Sequence, residues 1–227
     1  MVNERPILIA IDTSTEQASV AAGDGARVAE FTWTAGREQT TTVLEQIDRC
    51  LGAIGGGVAQ VGAVAVTTGP GMFSGLRVGM GIAKGLALGV DARLLGVPTL
   101  AVTAAPWRGL GRPVVAVAAA GRGRLVWAWF GDNSADAAGD FRNGTPAELL
   151  AELDARGPAI VAGELPEGGD AFSGRPGVVV RPGLAGLRRG ATMLDFAWPR
   201  FVAGDADDAA TLEPVYLHGT RAAAGAD

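Results

Sequence analysis

Glycine stands at positions 69, 71, 75, 79, 81, 85 and 89, within a stretch that otherwise reads as an apolar helix over residues 74–89. No other feature narrows the possible folds as much. A glycine inside a helix costs roughly 1 kcal/mol relative to alanine. Several in one helix make sense if their face packs closely on another backbone, either the sheet beneath or a helix opposite. At helical spacing, the glycines from 75 to 89 fall within an arc of about 160°. Val78, Ile82 and Leu86 share that arc, Arg77 and Lys84 lie opposite, and Met80, Ala83 and Ala87 flank it. Two arrangements satisfy the pattern. The helix can be buried on its own sheet, or it can also meet a partner helix across a second apolar face. Ahead of it, Gly69-Pro70-Gly71 resembles a phosphate cradle at a helix N-terminus. The lysine that a Walker motif would need is absent from its spacing.

The surrounding pattern is α/β. Residues 7–11 form a continuous apolar run, β-branched at alternate positions, and predict a buried strand that ends on Asp12-Thr13-Ser14-Thr15. Strands are predicted at 18–22 and 28–34, joined by the hairpin signal Gly23-Asp24-Gly25. Val43, Leu44, Ile47, Leu51 and Ile54 recur at helical spacing, so 38–54 reads as an amphipathic helix, stopped by Gly55-Gly56-Gly57. Strands follow at 61–66 and 93–95, and residues 106–113 read as a linker. Beyond it the pattern partly repeats. Strands are expected at 114–118, 125–130, 159–162 and 178–180. A helix is expected over 146–155, with Thr145 as N-cap and Pro146 first. A last helix spans 192–203, irregular at Pro199. The division implied is 1–105, then 106–221 with a last helix able to pack back on the first domain, then a disordered tail at 222–227.

Composition excludes several classes. Of 227 residues, 48% are apolar and 19% charged, as in a globular chain. The net charge of −5 makes autonomous nucleic-acid binding a poor fit, because phosphate affinity comes from clustered Lys and Arg. The single cysteine, Cys50, forbids an internal disulfide and fits a reducing compartment. It sits on the first helix as a small packing residue. The first six residues lack a signal-peptide pattern. The longest apolar stretch, 79–90, is too short for a bilayer and is broken by Lys84. A cytoplasmic location without membrane contact is expected.

Four segments stand in order along the chain: Asp12-Thr13-Ser14-Thr15, the string from Thr68 to Gly79 (TGPGMFSGLRVG), Ala83-Lys84-Gly85-Leu86-Ala87, and Gly96-Val97-Pro98. Together they resemble the TsaB (YeaZ) family of bacterial tRNA threonylcarbamoyladenosine modification. Leu212-Glu213-Pro214-Val215-Tyr216-Leu217 is similar to that family's closing segment. The match is dense over 7–103 and thin beyond. It implies an actin-like ATPase (ASKHA) fold of two ribonuclease-H-like α/β domains with mixed sheets, the second smaller. It further implies a non-catalytic subunit that supports a TsaD-type partner in threonylcarbamoyl transfer to tRNA adenosine. On this reading ATP or ADP and metal belong to the partner, and the ATPase subunit TsaE is reached through it. Alone the chain is expected to homodimerise, and tRNA is met only within the complex. The implied contact is a helix bundle formed by 38–54 and 74–90, with Val43, Leu44, Ile47, Leu51, Val78, Gly81, Ile82, Gly85 and Leu86 as its surface.

In the implied fold the first strand-turn carries a phosphate-facing acid, which Asp12 matches. Thr13, Gly69, Gly71 and Ser74 are the other phosphate-facing candidates. TsaD's paired histidines would fall on Thr99 and Thr103, neither of which replaces an imidazole as a metal ligand. His218 is the only histidine. In the second half, Ala119 stands where the family's turn has an acid. Asp12 thus reads either as a vestigial ligand or, preferably, as the cap of a tight turn. The competing enzyme reading is an ATPase or small-molecule kinase using Asp12 and the Gly69–Gly71 loop, for which a lone carboxylate is a poor metal site. A regulatory binding module outside tRNA modification is the third. Arg122 and Arg124 form a basic turn, read as solvated surface or RNA contact. Trp127 and Trp129 share one strand face and suit packing. Asp205, Asp207 and Asp208 lack EF-hand spacing and read as a solvated loop.

Overall fold

The computed structural model describes residues 5–34, 39–132, 141–181 and 186–216. The start of the first predicted helix at residue 38, Leu217, His218 and the tail at 222–227 lie outside them. Two compact units emerge. The first comprises Met1–Gly69, Phe73–Val97 and Arg188–Pro214; the second comprises Pro70–Met72, Pro98–Leu187 and Val215–Asp227.

The first unit opens with β1 (Ile7–Asp12), β2 (Gln17–Gly23) and β3 (Val28–Thr34), then α1 (Gln39–Ala53), β4 (Val61–Gly69), α2 (Phe73–Gly89) and β5 (Arg93–Pro98). Its sheet has the order β3-β2-β1-β4-β5. The β1–β2 and β2–β3 pairs are antiparallel and β1–β4 is parallel. Alternation then assigns the faces. Ile7, Ile9 and Ile11 of β1 meet α1 and α2 through Val43, Ile47, Leu51, Met80 and Ala83. The other face receives α5 (Gly190–Val202), which runs through Pro199 without breaking. Gly190 lies so close to β2 that a Cβ there would sit 2.9 Å from the Ala21 nitrogen. The exposed N–H groups at the start of α5 are met by the sheet. Gly190 N donates to Ser19 Oγ at 2.8 Å, and Ala191 N donates to Glu30 Oε2 at 2.9 Å.

The second unit contains α3 (Thr99–Ala104), β6 (Val114–Gly121), β7 (Arg124–Phe130), β8 (Arg142–Gly144), α4 (Pro146–Arg156), β9 (Ala159–Gly163) and β10 (Val178–Arg181). Its sheet has the order β10-β9-β6-β7-β8. Beginning each half at its first strand, this is the same topology as the first sheet, a meander of three strands followed by two more on the other side. The two units are ribonuclease-H-like α/β domains. Helix α4 has the cap expected of it. Thr145 Oγ1 accepts from Glu148 N, and Glu148 Oε2 accepts from Thr145 N at 2.6 Å.

The division differs from one made at residue 105. Helix α3 packs on β6, β7 and β9, so the stretch from Pro98 to residue 105 belongs to the second unit. The last helix packs on β1 to β4 and belongs to the first unit. Elements absent from the sequence reading are α3, β8 and 3-10 segments at Val58–Gln60, Ala105–Trp107 and Pro166–Phe172.

Candidate functional site

β1 ends on a buried carboxylate. Asp12 is 1% exposed, and its neighbours Thr13, Ser14 and Thr15 are also buried. Asp12 Oδ1 accepts from Ser14 N at 2.9 Å, from Ser14 Oγ at 2.6 Å and from Thr67 Oγ1 at 3.1 Å. Asp12 Oδ2 accepts from Arg188 Nε at 2.7 Å. The second arm of Arg188 donates to Thr15 Oγ1. Arg188 is itself 2% exposed. A carboxylate offers about four lone-pair positions, and this one already carries four donors.

The arrangement settles what Asp12 does in the folded chain. It caps its own turn through Ser14, ties β1 to β4 through Thr67, and pairs with an arginine inside the protein. Burial by itself raises the Asp12 carboxyl. The Arg188 charge and the hydrogen bonds from Ser14 and Arg188 outweigh it, so the pKa lies below its ordinary value of 3.8. The unfolded state therefore takes up this proton first as pH falls. The pair's stabilisation is complete above the ordinary carboxylate range and is lost as pH drops through the folded value. Melting temperature is expected to be level above about pH 5 and to fall below about pH 4. Glu148 and Asp205 are shifted downward as well, by hydrogen bonds from Thr145 and Arg200 respectively. The part due to Asp12 is the part of the acid slope that Asp12→Asn abolishes; an unchanged slope would contradict this assignment.

Thr13 joins the same cluster from the other side. Its Oγ1 donates to the Gly75 carbonyl at 2.7 Å, holding the first turn of α2. At Gly79 a Cβ would meet that same Oγ1 at 2.3 Å. The bonds that build the cluster come from Thr67, Gly75 and Arg188 rather than from Gly69, Gly71 or Ser74. Gly69 closes β4 with φ of 102°, Gly71 is half-buried in the loop, and Ser74 is exposed. Arg188 and Thr67 were not singled out by the sequence, and Thr15 only as part of the turn after β1.

Helix α2 divides its glycines. Gly75, Leu76, Gly79, Met80, Ala83 and Ala87 are buried on the sheet. Gly81, Gly85 and Gly89 are exposed, and a Cβ at any of them would meet no described residue within 4 Å. The arc of glycines is thus not one packing surface: it straddles the boundary between core and surface. Val78, Ile82 and Leu86 are half-buried along that boundary. The outer face also carries Leu88, 87% exposed, and Phe73, 51% exposed, with Arg77 stacked 4.3 Å above the Phe73 ring.

Three residues of the expected interface require correction. Val43, Ile47 and Leu51 belong to the core beneath α1, because the apolar stripe of that helix is consumed by its own sheet. Leu44, 51% exposed, stays at the surface with Gly81 and Gly85. Phe73 and Leu88 were missed. The spacing 73, 77, 81, 85, 88 places them with the outer glycines and is visible in the sequence once the buried face is known.

The remaining candidates are structural. Thr99 and Thr103 are buried in α3, where Thr103 Oγ1 donates to the Thr99 carbonyl. Trp127 and Trp129 both donate their indole N–H to Glu152 Oε2, at 3.3 and 3.0 Å. Asp205 and Asp207 pair with Arg200, and Asp207 Oδ2 accepts from Gly96 N at the edge of β5. Cys50 is buried in the first core. Among the described residues, no group of three or more His, Cys, Asp or Glu could hold a metal ion. No described helix is long and apolar enough to cross a membrane.

Comparison with known proteins points one way. Residues 33–162 match the family model described as TsaD: tRNA N6-adenosine threonylcarbamoyltransferase. The tRNA threonylcarbamoyladenosine biosynthesis protein TsaB of Escherichia coli (strain K12) is 33% identical, over 92% of this chain and 94% of that one. A tRNA N6-adenosine threonylcarbamoyltransferase of Nitratidesulfovibrio vulgaris is 42% identical, over 37% of this chain and 22% of its own length. Among solved structures, YeaZ from Pseudomonas aeruginosa superposes with a TM-score of 0.77 at 27% identity, covering 93% of this chain and all of that one.

Proposed function

Since the chain belongs to the TsaB (YeaZ) family, we propose that it serves tRNA threonylcarbamoyladenosine biosynthesis as an accessory subunit with no catalytic site of its own. Its partner on this reading is a TsaD-type transferase, which carries the nucleotide, the metal and the chemistry. TsaE is reached through that partner, and tRNA is contacted only in the complex. Alone, the chain pairs with a second copy, and it works in the cytoplasm.

The observation that carries this reading is the outer face of α2. Gly81 and Gly85, exposed inside one helix, weaken it by roughly 1 kcal/mol each relative to alanine, and none of the described residues packs on them. A second backbone lying across that face would recover the loss by close approach. Exposed Phe73, Leu88 and, from the neighbouring α1, Leu44 supply the apolar contact such an approach needs. The enzyme reading is disfavoured by Asp12, whose oxygens are already occupied.

The test is association. Gly81→Trp should weaken binding to a TsaD-type partner at least about tenfold, that is 1.4 kcal/mol or more, with an unchanged circular dichroism spectrum. Light scattering on mixtures reads the complex, and a modification assay with and without this chain reads its consequence. A folded Gly81→Trp chain that binds as the parent does removes this face as the interface. Magnesium-dependent ATP turnover by the isolated chain, abolished in Asp12→Ala, would establish the enzyme reading instead.

A further inference from the structure

Asp12 is reached from two directions. Ser14 and Thr67 belong to the sheet and its turn, and their bonds to Oδ1 stand whatever lies opposite. Oδ2 faces the other way, and its bond comes from Arg188, 176 positions along the chain. The guanidinium is planar. It directs Nε–H at Asp12 Oδ2 and a second N–H at Thr15 Oγ1. Both charged side chains are nearly inaccessible. The next residue, Arg189, is 63% accessible and pairs with Glu30 at the surface. One of two adjacent arginines has been drawn inside.

A buried ion pair adds little over a well-packed apolar pair. What it provides here is a charge of fixed sign and shape against a carboxylate that the sheet already holds rigid. We propose that the Asp12–Thr15 turn is a cation site that the chain fills from within, the Arg188 guanidinium being its resident ligand. Two oxygens set for two N–H groups of one plane match a guanidinium. A divalent ion would need about six oxygens, and Asp12 Oδ1 is already committed to three donors. While Arg188 is in place, the turn is closed to any metal-bound phosphate. The same contact fixes the start of the returning segment, two residues before Gly190 N meets Ser19 Oγ. This assignment is independent of the accessory role and of the α2 interface.

The test vacates the site. Arg188→Ala in the full chain is melted with methylguanidinium at low millimolar concentration, far below the molar range in which guanidinium denatures. The parent chain should not respond. The variant should melt several degrees lower and recover at least half of that loss in a saturable manner, with binding seen by calorimetry. Manganese ion and tetramethylammonium should restore nothing. Asp12→Asn combined with Arg188→Ala should melt above the single variant and ignore methylguanidinium. A folded Arg188→Ala chain indifferent to methylguanidinium overturns the proposal, as does equal restoration by manganese. If Arg188→Ala does not fold, the double variant decides: regained folding supports the site, and a double variant as defective as the single one overturns it.

Discussion

Arg188→Met is expected to lower unfolding stability by about 3–5 kcal/mol, the loss that follows when one partner of a buried ion pair is removed. Methionine fills much of the same volume, so the effect comes mainly from charge. Asp12 would be left buried and ionised with only hydroxyl and amide donors. Without the Arg188 charge, burial would push the Asp12 carboxyl upward, so that it protonates at a higher pH than in the parent or draws water into the core. Urea denaturation measures the change as a lower midpoint with an unchanged slope. Asp12→Asn in the same background removes the stranded charge and should recover most of the loss. A single variant within about 1 kcal/mol of the parent would show that the pair is not the buried, dry contact described here. The effect should also appear locally. The amides at the start of α5 lose the anchor at Arg188, so their hydrogen exchange should accelerate more than that of β9 or β10 in the other unit.

The second large effect is a contrast within one helix. Gly79→Ala should destabilise the chain by about 1–3 kcal/mol, the usual range for overpacking a closed site. The new methyl would lie 2.3 Å from Thr13 Oγ1. Thr13 cannot step aside cheaply, because it is buried and bonded to the Gly75 carbonyl. Gly81→Ala, two residues on, should stabilise the isolated chain by up to about 1 kcal/mol, since alanine is the better helix former and no described residue stands in the way. Identical substitutions in one helix would thus have opposite signs. Thermal melts of the two variants check it. Matching signs would mean that the buried and outer faces of α2 are not divided as described.

Much of this was legible in the chain. Continuous apolar runs bounded by turn residues marked β1, β4, β6 and β9, because a strand covered on both faces has no polar side to show. The hairpin at Asp24 and the Thr145-Pro146 cap were visible because their chemistry is local. Helix α3 was missed for the same reason that β1 was found. All six of its residues are buried, so it has no exposed, charged face, and periodicity cannot tell such a helix from a strand. β8 has only three residues, Arg142-Asn143-Gly144, and no apolar alternation. The apolar stripe of α1 was real, but it was assigned to a partner. A stripe records that something covers it, and its own sheet does.

The glycines of α2 carry the same distinction further. The sequence by itself determined that α2 is a helix weakened by its glycines, because the conformational cost attaches to each interior residue whichever way it faces. It also determined that Asp12 ends a buried strand in a tight turn. Only the tertiary structure decided which glycines meet the fold and which face outward, since that depends on how α2 is rotated over β4. Only it selected Arg188 over Arg189 as the partner of Asp12. Adjacent arginines are equivalent in sequence, and a contact spanning 176 positions leaves no local pattern. Which side chain enters is settled by the path of the returning segment, which sends one inward to the carboxylate and the next outward to Glu30.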